Sequence, residues 1–63
     1  HSMNYGLALK GFNKLIELEP NEADGYYNRA ALFSLLNKKE EANEDYRRAL
    51  NLGMDEAKQY ILD

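Results

Sequence analysis

Ala23-Asp24-Gly25-Tyr26-Tyr27-Asn28-Arg29-Ala30-Ala31-Leu32-Phe33-Ser34-Leu35 is the stretch on which the fold turns. Ala23, Tyr26, Tyr27, Ala30, Ala31, Phe33 and Leu35 place apolar side chains around nearly the whole circumference of a helix. A helix of that kind is expected to lie between neighbours. A helix over roughly residues 22–36 is therefore read as the centre of the structure. Asn21 precedes it as an N-cap, and Glu22, Ala23 and Asp24 form an acidic first turn that suits the helix dipole.

Working outward, Tyr5, Ala8, Leu9, Phe12, Leu15 and Ile16 recur at three- and four-residue steps and form one apolar stripe. Asn4 is placed to cap that helix, and Pro20 disfavours helix at Glu19, so the spacing predicts a helix over roughly 5–18. On the other side, Asn37-Lys38-Lys39 is a short polar break. A third helix is predicted over roughly 39–52, with Ala42, Tyr46, Ala49 and Leu50 on one face. Its other face carries Glu40, Glu41, Glu44, Arg47, Arg48 and Asn51, with Glu44 and Arg48 spaced to pair. Gly53 is a natural stop, and Asp55 is read as the cap of a last short helix containing Ala57, Tyr60, Ile61 and Leu62. No strand pattern appears.

The chain has 63 residues, 44% hydrophobic and 30% charged, with a net charge of −3. That is the composition of a globular domain with a marginal core, since chains this short bury only roughly 60% of their unfolded surface. Small domains usually add disulfides, a metal or a partner. Cysteine is absent, and the one histidine is His1, so no cofactor or metal site is expected. More copies of the same unit, or a partner, remain as the source of extra burial. Acidic neighbours flank both basic pairs, Lys38-Lys39 and Arg47-Arg48, so a basic face for nucleic acid is not expected. The apolar run Ala30–Leu36 is too short to span a bilayer. The opening lacks the pattern of a signal peptide, which leaves the cytoplasm as the default compartment. His1-Ser2 reads as the remnant of a cleaved tag.

Short connections make successive helices antiparallel neighbours. Shifting the sequence by 34 residues then lays the first helix on the third: Ala8 falls on Ala42, Phe12 on Tyr46, Ile16 on Leu50 and Leu18 on Leu52. Asn21-Glu22-Ala23 falls on Asp55-Glu56-Ala57, and Tyr26 on Tyr60. A helix-turn-helix unit of that period resembles the tetratricopeptide repeat. Tyr26 matches the motif's large aromatic, Ala30 its small residue and Phe33 its second aromatic, while Ala42, Tyr46 and Ala49 follow at the expected spacing. The resemblance implies an all-α, antiparallel helix-turn-helix solenoid fragment of three main helices and a short C-terminal one. Residues 3–20 would be the second helix of a partial repeat, 21–54 a complete repeat, and 55–63 the start of another or a capping helix. Arg29 stands where the motif often has leucine, Met54 where it has proline, and Lys38 where it usually has an acidic cap. Gly11 and Gly25 lie inside helices, each at a cost of about 1 kcal/mol relative to alanine.

The resemblance also implies a concave groove lined by first helices, here at Asp24, Tyr27, Asn28, Ala31, Ser34 and Leu35, with Lys58 from the next unit. Asn28 and Lys58 match residues that hold peptide carboxylates in chaperone-binding relatives, but Leu62 stands where that clamp has arginine. Carboxylate recognition needs several convergent donors, so Asn28 is read as a polar groove residue. No enzymatic constellation is present: Ser34 has no base beside it, and Glu40, Glu41, Glu44 and Asp45 lie on a polar helix face. Two readings remain. One is an adaptor or scaffold whose groove holds a peptide or helix of a partner protein. The other is a self-assembling unit, a homo-oligomer joined through Leu7, Leu9, Ile61 and Leu62.

Overall fold

The computed structural model describes residues 4–62. Three α-helices, α1 (Tyr5–Leu18), α2 (Ala23–Leu35) and α3 (Lys39–Asn51), are followed by a 3-10 helix over Asp55–Tyr60. The chain is all-α among the described residues, as the hydrophobic spacing requires. Asn4 caps α1, its Oδ1 accepting the Leu7 backbone N–H at 3.0 Å. At the far end the Glu19 N–H still reaches the Leu15 carbonyl at 2.8 Å before Pro20 turns the chain.

The next helix starts differently from expectation. Glu22, not Asn21, occupies the cap position of α2, and no side chain caps the helix there. Its C-terminal end closes through Asn37, whose φ of 63° lets the Asn37 N–H reach the Ser34 carbonyl (3.0 Å) and the Lys38 N–H reach Phe33 (2.8 Å). The end of α3 repeats that closure with Gly53 at φ 106°: Gly53 N–H bonds Leu50 and Met54 N–H bonds Ala49, both at 3.0 Å. Asparagine and glycine are the residues that tolerate this left-handed position. The last helix was expected to include Ile61 and Leu62 behind an Asp55 cap. Instead it ends at Tyr60, Met54 holds its cap position without a side-chain bond, and Ile61 is extended.

The core lies where α2, α3 and the 3-10 helix meet. Ala30, Ala42, Ala49 and Ala57 are buried and let the backbones approach, while Tyr46 fills the space between them. Tyr26, Tyr27, Phe33, Leu50, Met54 and Ile61 pack around this cluster. Helix α2 is central, with α1 on one flank and α3 on the other. It is not buried all round, however: Asp24, Asn28, Ala31 and Leu35 form an exposed face. Helix α1 contributes no fully buried residue, since only one side of its stripe is covered. The shape, 35 × 27 × 15 Å, is little thicker than one helix of about 10–12 Å with its side chains.

A partly buried ion-pair network ties the helices together. Asp45 is 1% exposed and accepts Arg29 Nε at 2.6 Å and a second Arg29 nitrogen at 2.9 Å. Arg48 also donates to it at 2.8 Å, so Arg48 turns to Asp45 and not to Glu44. Arg29 reaches the opposite way to Asn13 Oδ1 at 2.8 Å, and its guanidinium lies near the rings of Tyr26 and Phe33. The solvated setting expected for Asp45 is thus overturned, because an arginine from the neighbouring helix compensates its burial. The hydrogen bond to Asp45 raises the pKa of Arg29 further, against the opposing effect of burial.

Candidate interaction surfaces

Helix α2 divides the expected groove residues between its flanks. On the α1 side, Asn28, Ala31 and Leu35 join Tyr5, Ala8, Phe12 and Leu32 around an open, largely apolar cleft of about 280 Å³. Leu35 is 69% exposed, although it belongs to this apolar lining. Asp24 and Ser34 are exposed on the same helix but do not line the cleft. Sequence reasoning assigned Tyr5, Ala8 and Phe12 to packing.

Tyr27 points elsewhere. Its ring meets Tyr46 edge-on at 5.7 Å and Tyr60 at 5.9 Å, while Tyr46 and Tyr60 stack at 5.1 Å. Edge and offset contacts of this kind are favoured by the ring quadrupoles. A hydrogen bond with Tyr60, reinforced by desolvation, raises the Tyr27 phenol above the usual tyrosine range. Burial does the same for Tyr46. Tyr26 packs and donates its hydroxyl to the Pro20 carbonyl at 3.0 Å.

Lys58 lies on the 3-10 helix. It lines a separate cleft of about 330 Å³ with Arg47, Leu50, Asn51 and Ile61, so Asn28 and Lys58 do not share one cleft. Among the self-association candidates, Leu7 and Leu62 are 64% and 60% exposed, while Leu9 and Ile61 are half-buried. Leu18 is equally open at 65%, so apolar surface extends along α1 beyond the residues singled out from the sequence. Asn43 also escaped sequence reasoning: its side-chain amide pairs with the backbone of Leu62, accepting its N–H at 2.9 Å and donating to its carbonyl at 2.5 Å.

These surfaces offer apolar area and backbone-type hydrogen bonds. Among the described residues there is no group of three or more histidine, cysteine, aspartate or glutamate side chains that could hold a metal ion. No described helix is long and apolar enough to cross a membrane.

Comparison with known proteins agrees with this architecture. A family model described as "Tetratricopeptide repeat" matches residues 12–59. A curated relative, "Protein STIP1 homolog" of Dictyostelium discoideum, is 38% identical over 60 residues, which is 95% of this chain and 11% of that protein. The chain therefore spans 11% of the length of the curated relative it matches. No solved structure gives a significant match.

Proposed function

Because the chain belongs to the tetratricopeptide repeat family, whose members are protein-interaction modules, we propose that the α1–α2 cleft and the adjoining exposed face of α2 hold a peptide or helix of a partner protein. The observation that carries this reading is Leu35, 69% exposed in a cleft whose other walls are Tyr5, Ala8, Phe12, Ala31 and Leu32. Covering a leucine side chain is worth about 1.5–3 kcal/mol, which is a strong incentive for a partner to dock. Asn28 at the same cleft supplies a donor and an acceptor that fix the ligand's direction. Tyr27, turned into the tyrosine cluster, supports the ligand-facing helix from behind. Asp24 and Ser34 lie at its exposed margins.

The test is a peptide selected from a displayed library against the wild-type chain, then titrated under heteronuclear NMR. Shifts are expected at Asn28, Ala31, Leu35 and Phe12, and Leu35→Asp should weaken binding by at least about tenfold. Shifts confined to α3, or unchanged affinity of the Leu35→Asp chain, would refute the cleft as the binding surface.

A second reading, self-assembly, is favoured by the exposure of Leu7 and Leu62. Under it, sedimentation equilibrium finds a dimer or larger species that Leu7→Glu or Leu62→Glu dissociates. A monomer at every concentration excludes it.

A further inference from the structure

The turn at Pro20 has a counterpart 34 residues on, at Met54, and the two are held differently. Pro20 is exposed, and the Tyr26 hydroxyl donates to its carbonyl at 3.0 Å. Met54 is half-buried and packs against the buried cluster of Ala30, Ala42, Tyr46, Ala49 and Ala57. Its backbone ties α3 to the 3-10 helix in both directions. The Met54 N–H donates to the Ala49 carbonyl at 3.0 Å, and the Met54 carbonyl accepts the Ala57 N–H at 3.1 Å. A proline in its place would keep the carbonyl but lose the N–H.

The side chain brings a second property. The sequence has no cysteine and two methionines, Met3 and Met54, of which Met54 lies among the described residues. An unbranched thioether fills irregular gaps between helices, and it is also open to oxidation. The sulfoxide is polar, and its oxygen needs a hydrogen-bond donor or water. Ala30, Ala42, Ala49 and Ala57 have no side-chain donor, and the N–H groups of Met54 and Ala57 are already engaged. A sulfoxide at position 54 is therefore drawn toward water and out of the packing between α3 and the 3-10 helix. Half burial is what makes this consequential. A fully buried sulfur would be closed to an oxidant, and a fully exposed one would disturb no packing.

We infer that Met54 is a site of reversible oxidation by peroxide, and that its sulfoxide loosens the joint between α3 and the 3-10 helix. A sulfur lone pair attacks one oxygen of hydrogen peroxide, the O–O bond breaks and water leaves. Sulfur is oxidised by two electrons and the peroxide is reduced by two. Methionine sulfoxide reductases reverse the change, two thiols becoming a disulfide as the oxygen departs in water. The site stands or falls separately from the α1–α2 cleft.

The test uses the whole chain carrying Met3→Leu, so that Met54 is its one oxidisable sulfur. It is treated with hydrogen peroxide at a concentration that converts free methionine to its sulfoxide. Mass spectrometry should find one added oxygen, and the amide signals of Ala49 and Ala57 should shift. The thermal midpoint should fall by about 4 °C or more. Both reductases, one for each sulfoxide epimer, should remove the oxygen and restore the midpoint when supplied with dithiothreitol. Adding Met54→Leu, an apolar change of similar volume, should leave a chain that takes up no oxygen and keeps its midpoint. Met54→Gln in the same background should show a lowered midpoint without peroxide. No oxygen on the folded chain, an oxygen that leaves the midpoint unchanged, a fall that the reductases do not reverse, an equal fall in the Met54→Leu chain, or a Met54→Gln chain as stable as its parent overturns the proposal.

Discussion

Replacing Asp45 with alanine should cost more stability than truncating any other charged side chain of α3, because Asp45 is the buried one. The carboxylate is 1% exposed and receives a two-point fork from Arg29, whose side chain is 19% exposed, at 2.6 and 2.9 Å. The third bond, from Arg48, ends on a side chain that is 51% exposed and is worth about 0–1 kcal/mol. Hydrogen bonds to charged groups contribute about 1.5–3 kcal/mol each, and breaking a fully buried pair costs about 3–5 kcal/mol. Arg29 retains Asn13 and some access to water, which pulls the cost to the low end, about 3 kcal/mol. A chain of 63 residues has a total stability of about 3–9 kcal/mol, so the variant should lose a third or more of it. The midpoint of thermal unfolding should fall by about 12–24 °C.

The assay is urea denaturation followed by far-ultraviolet circular dichroism on five chains: wild type, Asp45→Ala, Asp45→Leu, Arg29→Leu and the double leucine variant. Leucine at position 29 would meet Tyr26 and Phe33, the rings that now flank the guanidinium. Replacing a buried pair together with apolar residues is often neutral or stabilising, so the double variant should return to within about 1 kcal/mol of wild type. The coupling energy between the two sites should then reach about 2 kcal/mol. Additive losses within about 0.5 kcal/mol, or a single-variant loss below that size, would refute the reading that this pair ties α2 to α3.

Two other expectations follow from the same structure. A Cβ on Gly25 would stand 2.9 Å from Ile16 Cγ1, whereas one on Gly11 would meet nothing within 4 Å. Gly11→Ala should therefore stabilise by about 1 kcal/mol and Gly25→Ala should destabilise despite the same gain in helix propensity, both read from urea midpoints. At alkaline pH, the phenols of Tyr27 and Tyr46 are raised in the folded chain, so the folded state holds their protons longer than the unfolded one. Their contribution is fully present below the ordinary tyrosine value of about 10 and is lost as pH rises through the folded values. Thermal midpoints should fall above that pH with no such loss between neutrality and it. A Tyr46→Phe chain should show a smaller fall.

Elements set by local rules were legible in the sequence. The bounds of α1 followed from a stripe at helical spacing between Asn4 and Pro20, and the closure at Gly53 from glycine's access to positive φ. The exposed α2 residues that face α1 were legible too, since Asn28, Ala31 and Leu35 share one helical face. What escaped depended on long-range partners. Asp45 looks like one more acid in a polar run until Arg29, 16 residues earlier in sequence, crosses from α2 to meet it. The available signal was Arg29 itself, a charge at a position the motif gives to leucine. Tyr27 and Lys58 could be placed on helices but not aimed, because the tyrosine cluster draws one away and the turn of the 3-10 helix carries the other to a different cleft. The exit from helix at Ile61 is invisible to periodicity, which fits Ala57, Tyr60 and Ile61 equally well to a continuing α-helix.

The α1–α2 cleft and the cost of Gly25 have one cause. Helices α1 and α2 meet closely where Ile16 rests on Gly25, an approach that no larger residue permits without a shift of Ile16. At the opposite end of the pair, Tyr5 and Phe12 face Leu35 and Leu32 around open space. A glycine at the turn end and aromatics at the free end give the two helices the form of a wedge, tight near the loop and open away from it. The glycine forfeits about 1 kcal/mol of helix propensity, and the close approach it permits fixes the pivot from which the cleft opens. Gly25→Ala should accordingly act at a distance: by pushing α1 away at the pivot it should alter the NMR signals of Phe12 and Leu35 as well as those of Ile16. An effect confined to the immediate neighbours of Gly25 would mean that the aromatics alone hold the cleft open.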